Sequence, residues 1–408
     1  MEYGVSVQIG GEDVPAGTLY AHVRRGVESA SFRYDDAYLM DVRSFPLAPD
    51  MPLTDGAIHT QGEAMFRVFE DCMPDRWGRN LLLREERRRA RSEQRAARTL
   101  FEHDYLAGVS DVSRQGALRI WAAGSVLTDV GGVPREVSIP DLLRAADRAV
   151  ADLDADLGDL VAAGSSLGGA RPKASVLDEG GALNIAKFPK PDEFPVEDVC
   201  AWEKTALDLA ASTGIRVPQS RLLRIGGRSV LLVRRFDRVG ERRIPYLSGL
   251  TAVQGEDGGR YSYLDLVSFL EEEGSSPESD IRELWRRILF GCAIGNVDDH
   301  MRNHGFLREG GGWRLSPAFD VNPTPGDNPK YLRSAIDFDR DEADPRAAVE
   351  TCEWFRLDHD EAVAEARAMT SKLKRWRKVA MTNGISKASQ DYMASCMEAG
   401  VERLSAVR

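Results

Sequence analysis

Residues Gly291–Asp320, GCAIGNVDDHMRNHGFLREGGGWRLSPAFD, carry the reading that decides the fold. Asp298 stands five residues before Asn303, and Asp320 closes a short apolar run that the Gly310-Gly311-Gly312 turn makes read as a hairpin. Just upstream, Ile281, Leu284, Trp285, Ile288, Leu289 and Cys292 recur at helical spacing, which predicts an amphipathic helix delivering Asp298 from its C-terminal end. Three oxygen side chains are thereby expected at one spot. A carboxylate, an amide five residues on and a second carboxylate after a hairpin are the parts of a phosphoryl-transfer centre. The first meets the acceptor hydroxyl, and the other two hold magnesium against the phosphates.

Working outward, a Gly/Ser-rich turn, AAGSSLGGARPKASV from Ala162, precedes a short strand, Ala174 to Leu177. A second strand, Ala182 to Phe188, sets Leu183, Ile185 and Lys187 on one face by the period of two. A lysine there either snorkels out at a sheet edge or points into a cleft to meet phosphate. Glu197 to Thr213 reads as a helix on which Glu203 shares a face with Ala206, Leu207 and Ala210. A carboxylate on a buried face needs a partner, and Lys187 or an arginine could supply it. Ser229 to Phe236 is a continuous apolar strand ending in Arg235-Phe236-Asp237-Arg238, where Asp237 reads as a turn carboxylate more readily than as a catalyst. Beyond Asp237 the pattern is predominantly helical.

The N-terminal part differs in kind. Residues 1–60 alternate as strands, with Val5-Ser6-Val7-Gln8-Ile9 and Ala30-Ser31-Phe32-Arg33-Tyr34 the clearest. A basic helix is expected from Leu81 to Arg98, its Arg87, Arg88, Arg89 and Arg91 interleaved with Glu85, Glu86 and Glu93. That pattern fits a solvated, salt-bridged face or, alternatively, a partner-binding patch. A further helix is expected over Ile139 to Leu160. Three segments follow: a β-rich N-terminal domain (1–160), a small sheet lobe with the Gly-rich loop (161–237), and an all-α C-terminal lobe (238–408). The fold class is α+β, a bilobal kinase-like arrangement.

Composition sets the outer bounds. With 408 residues, 42% of them hydrophobic, the chain can build two or three cores. No apolar run approaches the roughly 20 residues of a membrane helix, and the N-terminus carries no export pattern, so no membrane role and a cytoplasmic address are expected. The five cysteines are odd in number, scattered and without CxxC spacing, which argues against a disulfide framework or a zinc site. A net charge of −11 argues against direct binding of nucleic acid, so any link to DNA runs through a partner.

Taken in order, a Gly-rich loop, a strand lysine, a helix glutamate, an apolar strand running into a linker, then Asp298, Asn303 and Asp320 form the sequence of parts in a kinase. The Asp298-to-Asn303 spacing equals that of a protein-kinase catalytic loop. The residues also resemble one family, the HipA-like serine/threonine kinases, toxins of bacterial toxin–antitoxin pairs. The resemblance rests on Gly168-Gly169-Ala170-Arg171-Pro172-Lys173, Ile185-Ala186-Lys187-Phe188-Pro189, Arg235-Phe236-Asp237-Arg238, Asn296-Val297-Asp298-Asp299-His300-Met301-Arg302-Asn303 and Ser316-Pro317-Ala318-Phe319-Asp320. Met73-Pro74-Asp75 and Gly116-Ala117-Leu118-Arg119 extend it into the N-terminal domain. A DxHxxN loop, with His after the Asp, separates this family from ordinary kinases.

The resemblance implies that Asp298 is the base, that Asn303 and Asp320 bind Mg2+, and that Lys187 binds the phosphates of ATP. It implies nucleotide contacts at Gly168, Gly169, Lys173, Arg235, Phe236, Asp237, His300 and Asn303, and autophosphorylation at Ser166 with Ser165 as neighbour, which would switch the enzyme off. It also implies a HipB-like helix-turn-helix antitoxin that silences the chain and brings it to operator DNA, and a protein substrate such as an aminoacyl-tRNA synthetase. The chain departs from ordinary kinases in reading Phe-Asp-Val for Asp-Phe-Gly, with no Ala-Pro-Glu after it. Arg234 stands where some relatives have an acid. Three alternatives stay open. Asp299 could be the base in place of Asp298, His300 and His304 could be metal ligands, and the chain could be a small-molecule phosphotransferase or a catalytically silent ATP-binding partner of a repressor.

Overall fold

The alternation at Val5–Ile9 and Ala30–Tyr34 is realised as an antiparallel sheet. In the computed structural model it has six strands in the order β4-β3-β2-β1-β5-β6. These are β1 (Glu2–Ile9), β2 (Glu12–Arg24), β3 (Val27–Tyr34), β4 (Ala57–His59), β5 (Leu118–Ala122) and β6 (Ser125–Val126). The structure describes residues 1–74, 76–127, 132–151, 160, 163, 171–191, 193 and 196–408. Two compact units result: Met1–Lys190 with Arg234–Leu247, and Pro191–Val233 with Ser248–Arg408. This division cuts across the three segments read from the sequence, because the strands around Lys187 belong with the N-terminal unit.

In the first unit, Val5, Val7, Leu19 and Phe32 fill the inner face of the sheet. Phe32 meets Tyr34 edge-on at 5.0 Å, and Tyr34 stacks on Tyr38 at 5.6 Å. Their hydroxyls do not stay orphaned: Tyr34 donates to Met51 O and Tyr38 to Phe45 O, which pins the 35–51 connection to the sheet. The basic helix spans Arg76–Ser92, short of the expected Arg98. It stops because Gln94 turns left-handed (φ 53) and Arg95 N donates back to Ala90 O, a Schellman-like end. Arg95 and Arg98 then fold back onto Glu86, while Arg88 pairs with Glu85, so much of the basic face is laced to acids. The helix expected over 139–160 is described as Ile139–Ala151.

The strands β7 (Lys173–Leu177) and β8 (Leu183–Lys187) form an antiparallel hairpin in the first unit. Three bonds tie this hairpin to earlier and later chain in that unit: Leu177 N to Pro134 O, Trp77 Nε1 to Lys173 O, and Arg235 N to Leu183 O.

The second unit is mostly helical, with a β9 (Ser220–Ile225) and β10 (Arg228–Arg234) hairpin beside the helix Val199–Ser212. Its organising element is the helix Pro277–Ile294, the one read from Ile281 to Cys292. Proline at its first turn and left-handed Gly295 just past its end explain both boundaries. Its apolar stripe is wholly buried, with Trp285 at 0% exposure and its indole donating to Ala348 O. Each such leucine or isoleucine contributes about 1.5–3 kcal/mol. Among the described residues no helix is long and apolar enough to cross a membrane.

Candidate active site

The helix Pro277–Ile294 also has a polar inner row that the apolar pattern hides. Asp280, Glu283 and Arg287 lie at i, i+3 and i+7 and are all buried. Asp280 accepts from Arg314, Arg216 and the Leu315 amide; Arg287 pairs with Glu283 and donates to Ser316 O. These bonds clamp the strand Gly312–Leu315 and the residue after it against the helix. The hairpin itself, Gly305–Glu309 with Gly312–Leu315, closes as expected on a two-residue Gly310-Gly311 turn in which both φ are positive (63° and 87°). Two further bonds, Ser316 N to Gly305 O and Ala318 N to Arg216 O, carry the chain in fixed register to Asp320. Asp320 itself is left-handed at φ 54, a conformation costing about 1–2 kcal/mol outside glycine, though aspartate tolerates it better than most.

The Asp298 loop is held against this segment by its flanks. Asn322 N donates to Asn296 Oδ1 at 3.0 Å, Thr324 N to Gly295 O at 3.1 Å, and Arg333 N to Val297 O at 3.2 Å. Inside the loop, Asn303 Nδ2 donates to the Asp298 carbonyl at 2.7 Å across a 3-10 turn, Met301–Asn303. That bond commits the amide nitrogen and leaves the Asn303 side-chain oxygen available to a cation. Asp298 is exposed. Asn303 and Asp320 are half-buried oxygen donors, the hard ligand set magnesium takes, so the residues present fit that ion.

Asp299, the rival for the base, has a different environment. It is buried, accepts from the Tyr263 hydroxyl at 2.5 Å, and lies 3.2 Å from His304 Nε2. His304 is at 3% exposure, its ring nitrogens make no well-aligned hydrogen bond, and Tyr263 meets it edge-on at 5.5 Å. Burial works to raise the Asp299 carboxyl, but attraction to His304 and the bond from Tyr263 outweigh it and keep the group below its ordinary range. Burial and the Asp299 charge drive the Tyr263 hydroxyl far the other way. Ser334 Oγ donates to the Asp299 carbonyl as well. Asp299 is thus a fixed internal anchor, whereas its neighbour Asp298 is exposed. His304 points to that anchor, and among the described residues no three His, Cys, Asp or Glu side chains form a metal cluster. His300 is half-buried on the same loop.

The remaining candidates each belong to one of the two units. In the first unit Lys173 and Lys187 are directly opposite in the β7–β8 ladder, so both ammonium groups share one face. On that face Lys187 and Ile185 are half-buried and Lys173 and Ser175 are buried, while the Ala174–Ala186 face is fully buried. Arg235 and Asp237 are buried together: Arg235 donates to both Asp237 oxygens and to Ser113 O, and Asp237 also accepts from Arg238 and the Gly116 amide. Burial opposes the Asp237 charge, yet Arg235 and Arg238 hold its carboxyl well below the usual range. These side chains do structural work in the first unit. Phe236 is half-buried, 6.3 Å from the Tyr246 ring. Glu203 is buried on the helix Val199–Ser212 in the second unit. Gly168, Gly169, Ser165 and Ser166, with Asp75, lie outside the described residues.

Sequence reasoning missed Tyr263, Asp280, Glu283 and Arg287. The last three left a signal, polar residues at helical spacing beside an apolar stripe; Tyr263 left none.

Comparison with known proteins bears on this geometry. A HipA-like C-terminal domain model matches residues 165–383, and a HipA N-terminal domain model matches 8–101. A candidate kinase of Haemophilus influenzae is 26% identical over 191 residues, covering 40% of this chain and 54% of that protein. The toxin YjjJ of Escherichia coli K12 is 29% identical over 192 residues, 42% of this chain and 40% of that protein. The aligned parts thus span about half or less of these relatives' length. In fold, the chain resembles a chain of the Shewanella oneidensis MR-1 complex of the toxin–antitoxin system HipA, HipB and its operator DNA. The TM-score is 0.70 at 17% identity, covering 99% of this chain and 97% of that one.

Proposed function

This chain belongs to the HipA-like family, and from that premise we propose that it is a magnesium- and ATP-dependent protein serine/threonine kinase. One observation carries the reading: of two adjacent aspartates, Asp299 is locked inside and Asp298 is presented outward on a loop tied to Asn303 and to the segment of Asp320. Magnesium-bound ATP would supply the phosphoryl group. Asp298 orients or deprotonates the acceptor hydroxyl, while Asn303 and Asp320 hold the metal. Lys187 and Lys173, in register on one strand pair, bind the phosphates. Since the Arg235 and Asp237 side chains are engaged elsewhere, any adenine contact there falls to backbone carbonyls and to Phe236.

The finer parts of the reading are a translation component such as an aminoacyl-tRNA synthetase as substrate, loop autophosphorylation at Ser166 or Ser165, and silencing by a HipB-like antitoxin that links the chain to DNA. The named contents of the Shewanella complex support the last of these. The test is intact mass and phosphopeptide mapping of wild type and Asp298→Ala after incubation with magnesium-ATP. Phosphate on Ser166 or Ser165 in the wild type alone is expected. Equal incorporation in the variant would remove the assignment of Asp298.

A further inference from the structure

Residues 330–343 form an irregular hairpin whose tip faces solvent. Ala343 N donates to Lys330 O, Leu332 N to Asp341 O and Ile336 N to Arg340 O. At the tip the Asp337 carboxylate accepts from the Asp339 and Arg340 amides, an Asx turn that fixes the backbone on either side of Phe338. Phe338 is 74% exposed, and Trp354, which meets it edge-on at 5.8 Å, is itself 55% exposed. A large aromatic held in the open by a built turn, with a second aromatic behind it, gains little from burial in the fold and has the make-up of an interaction hot spot. The surroundings are acidic: from 333 to 356, Asp and Glu outnumber Arg seven to four, Arg340 pairs with Asp337 and Glu350, and Asp339, Asp341, Glu342 and Glu353 are exposed. The hairpin is also bonded to the Asp298 loop, through Arg333 N to Val297 O and Ser334 Oγ to Asp299 O.

We propose that this tip, with Trp354, is a docking surface for a basic segment of the protein substrate, anchored by one apolar side chain against Phe338. That the partner is the substrate rests on the kinase reading; the surface does not. Charge complementarity selects a lysine- or arginine-rich chain, and the bonds to the catalytic loop put its docking on an element continuous with the chemistry. Nucleic acid is repelled by the same charge.

The test is binding of full-length protein, without nucleotide, to fluorescent peptides of equal length: Lys/Arg-rich with a central leucine, the same with glycine for leucine, and Glu-rich with the leucine. The first should bind, with affinity falling as salt rises. It should weaken about tenfold or more for the glycine peptide and for the Phe338→Ala/Trp354→Ala protein. The Asp339→Lys/Glu342→Lys protein keeps both aromatics and should weaken binding as much. Thermal unfolding checks that both variants fold. No binding by wild type, equal binding by the variants, or a preference for the Glu-rich peptide would overturn the proposal. So would a wild-type dimer that the aromatic variant turns into monomer, which would make the surface a contact between copies. Because no turnover is measured, failure here leaves the kinase reading standing, and absent phosphorylation leaves this surface standing.

Discussion

Two acidic centres in this molecule are built in opposite ways. In the first unit Asp237 is enclosed by Arg235, Arg238 and the Gly116 amide, so its charge is spent on holding the chain together. In the second, the equivalent enclosure is given to Asp299, and the charge one residue earlier is left in the open. A buried, fully partnered carboxylate is a structural bolt; an exposed one on a loop anchored by a buried neighbour is placed to act on something else. The contrast can be broken or sharpened by substitution.

The largest effect expected is on phosphoryl transfer by Asp298→Ala. Loss of a positioned base should cut it about 10²–10⁴-fold with the thermal midpoint unchanged, measured by phosphate incorporation and calorimetry. Asp237→Ala should do the reverse in kind, destabilising by about 3–5 kcal/mol in denaturant titration, because Arg235 and Arg238 keep buried charges without a counter-ion. The milder Asp237→Asn carries a pH signature. A carboxyl depressed in the fold contributes stability that is complete above its unfolded value and is lost as pH falls through the folded one. The wild-type advantage over Asp237→Asn should therefore hold above about pH 5 and shrink below about pH 4. A constant gap down to pH 2 would mean that Asp237 is not ionised in the fold.

Asp299→Asn lies between the two classes. The amide keeps an oxygen to accept from Tyr263 but removes the charge that His304 and Tyr263 enclose, which should cost about 1–3 kcal/mol and also lower turnover, since the Asp298 loop loses its charged anchor. Turnover at the wild-type level in a folded variant would separate the anchor from the chemistry. The smallest effect is expected of Gly295→Ala, about 1–2 kcal/mol by chemical denaturation, from a left-handed φ of 69°. An added Cβ would also stand 2.7 Å from Lys330 Nζ and 2.9 Å from Cys396 Sγ, so part of that loss should return when Cys396 is cut to alanine.

Much of this was local enough to read directly. The Asp298–Asn303 spacing, the glycine turn before Asp320, the helix that delivers the loop and the strand bearing Lys187 each follow from side-chain periodicity and turn chemistry within a few residues. The family resemblance came from those same short motifs. The spacing to Asn303 favoured Asp298 over Asp299 as the base, but the sequence could not show the burial that sets the two carboxylates apart. The partner that bonds Asp299 is Tyr263, 36 residues upstream at the start of the helix Tyr263–Glu273. Nor could it show that the Arg235 and Asp237 side chains turn inward to Ser113 and Gly116, more than a hundred residues away. The order of residues along the chain determined its elements and the kinds of atom available for chemistry. Only the tertiary structure decided which of two identical carboxylates faces water, since desolvation and ion pairing are set by groups that meet through space.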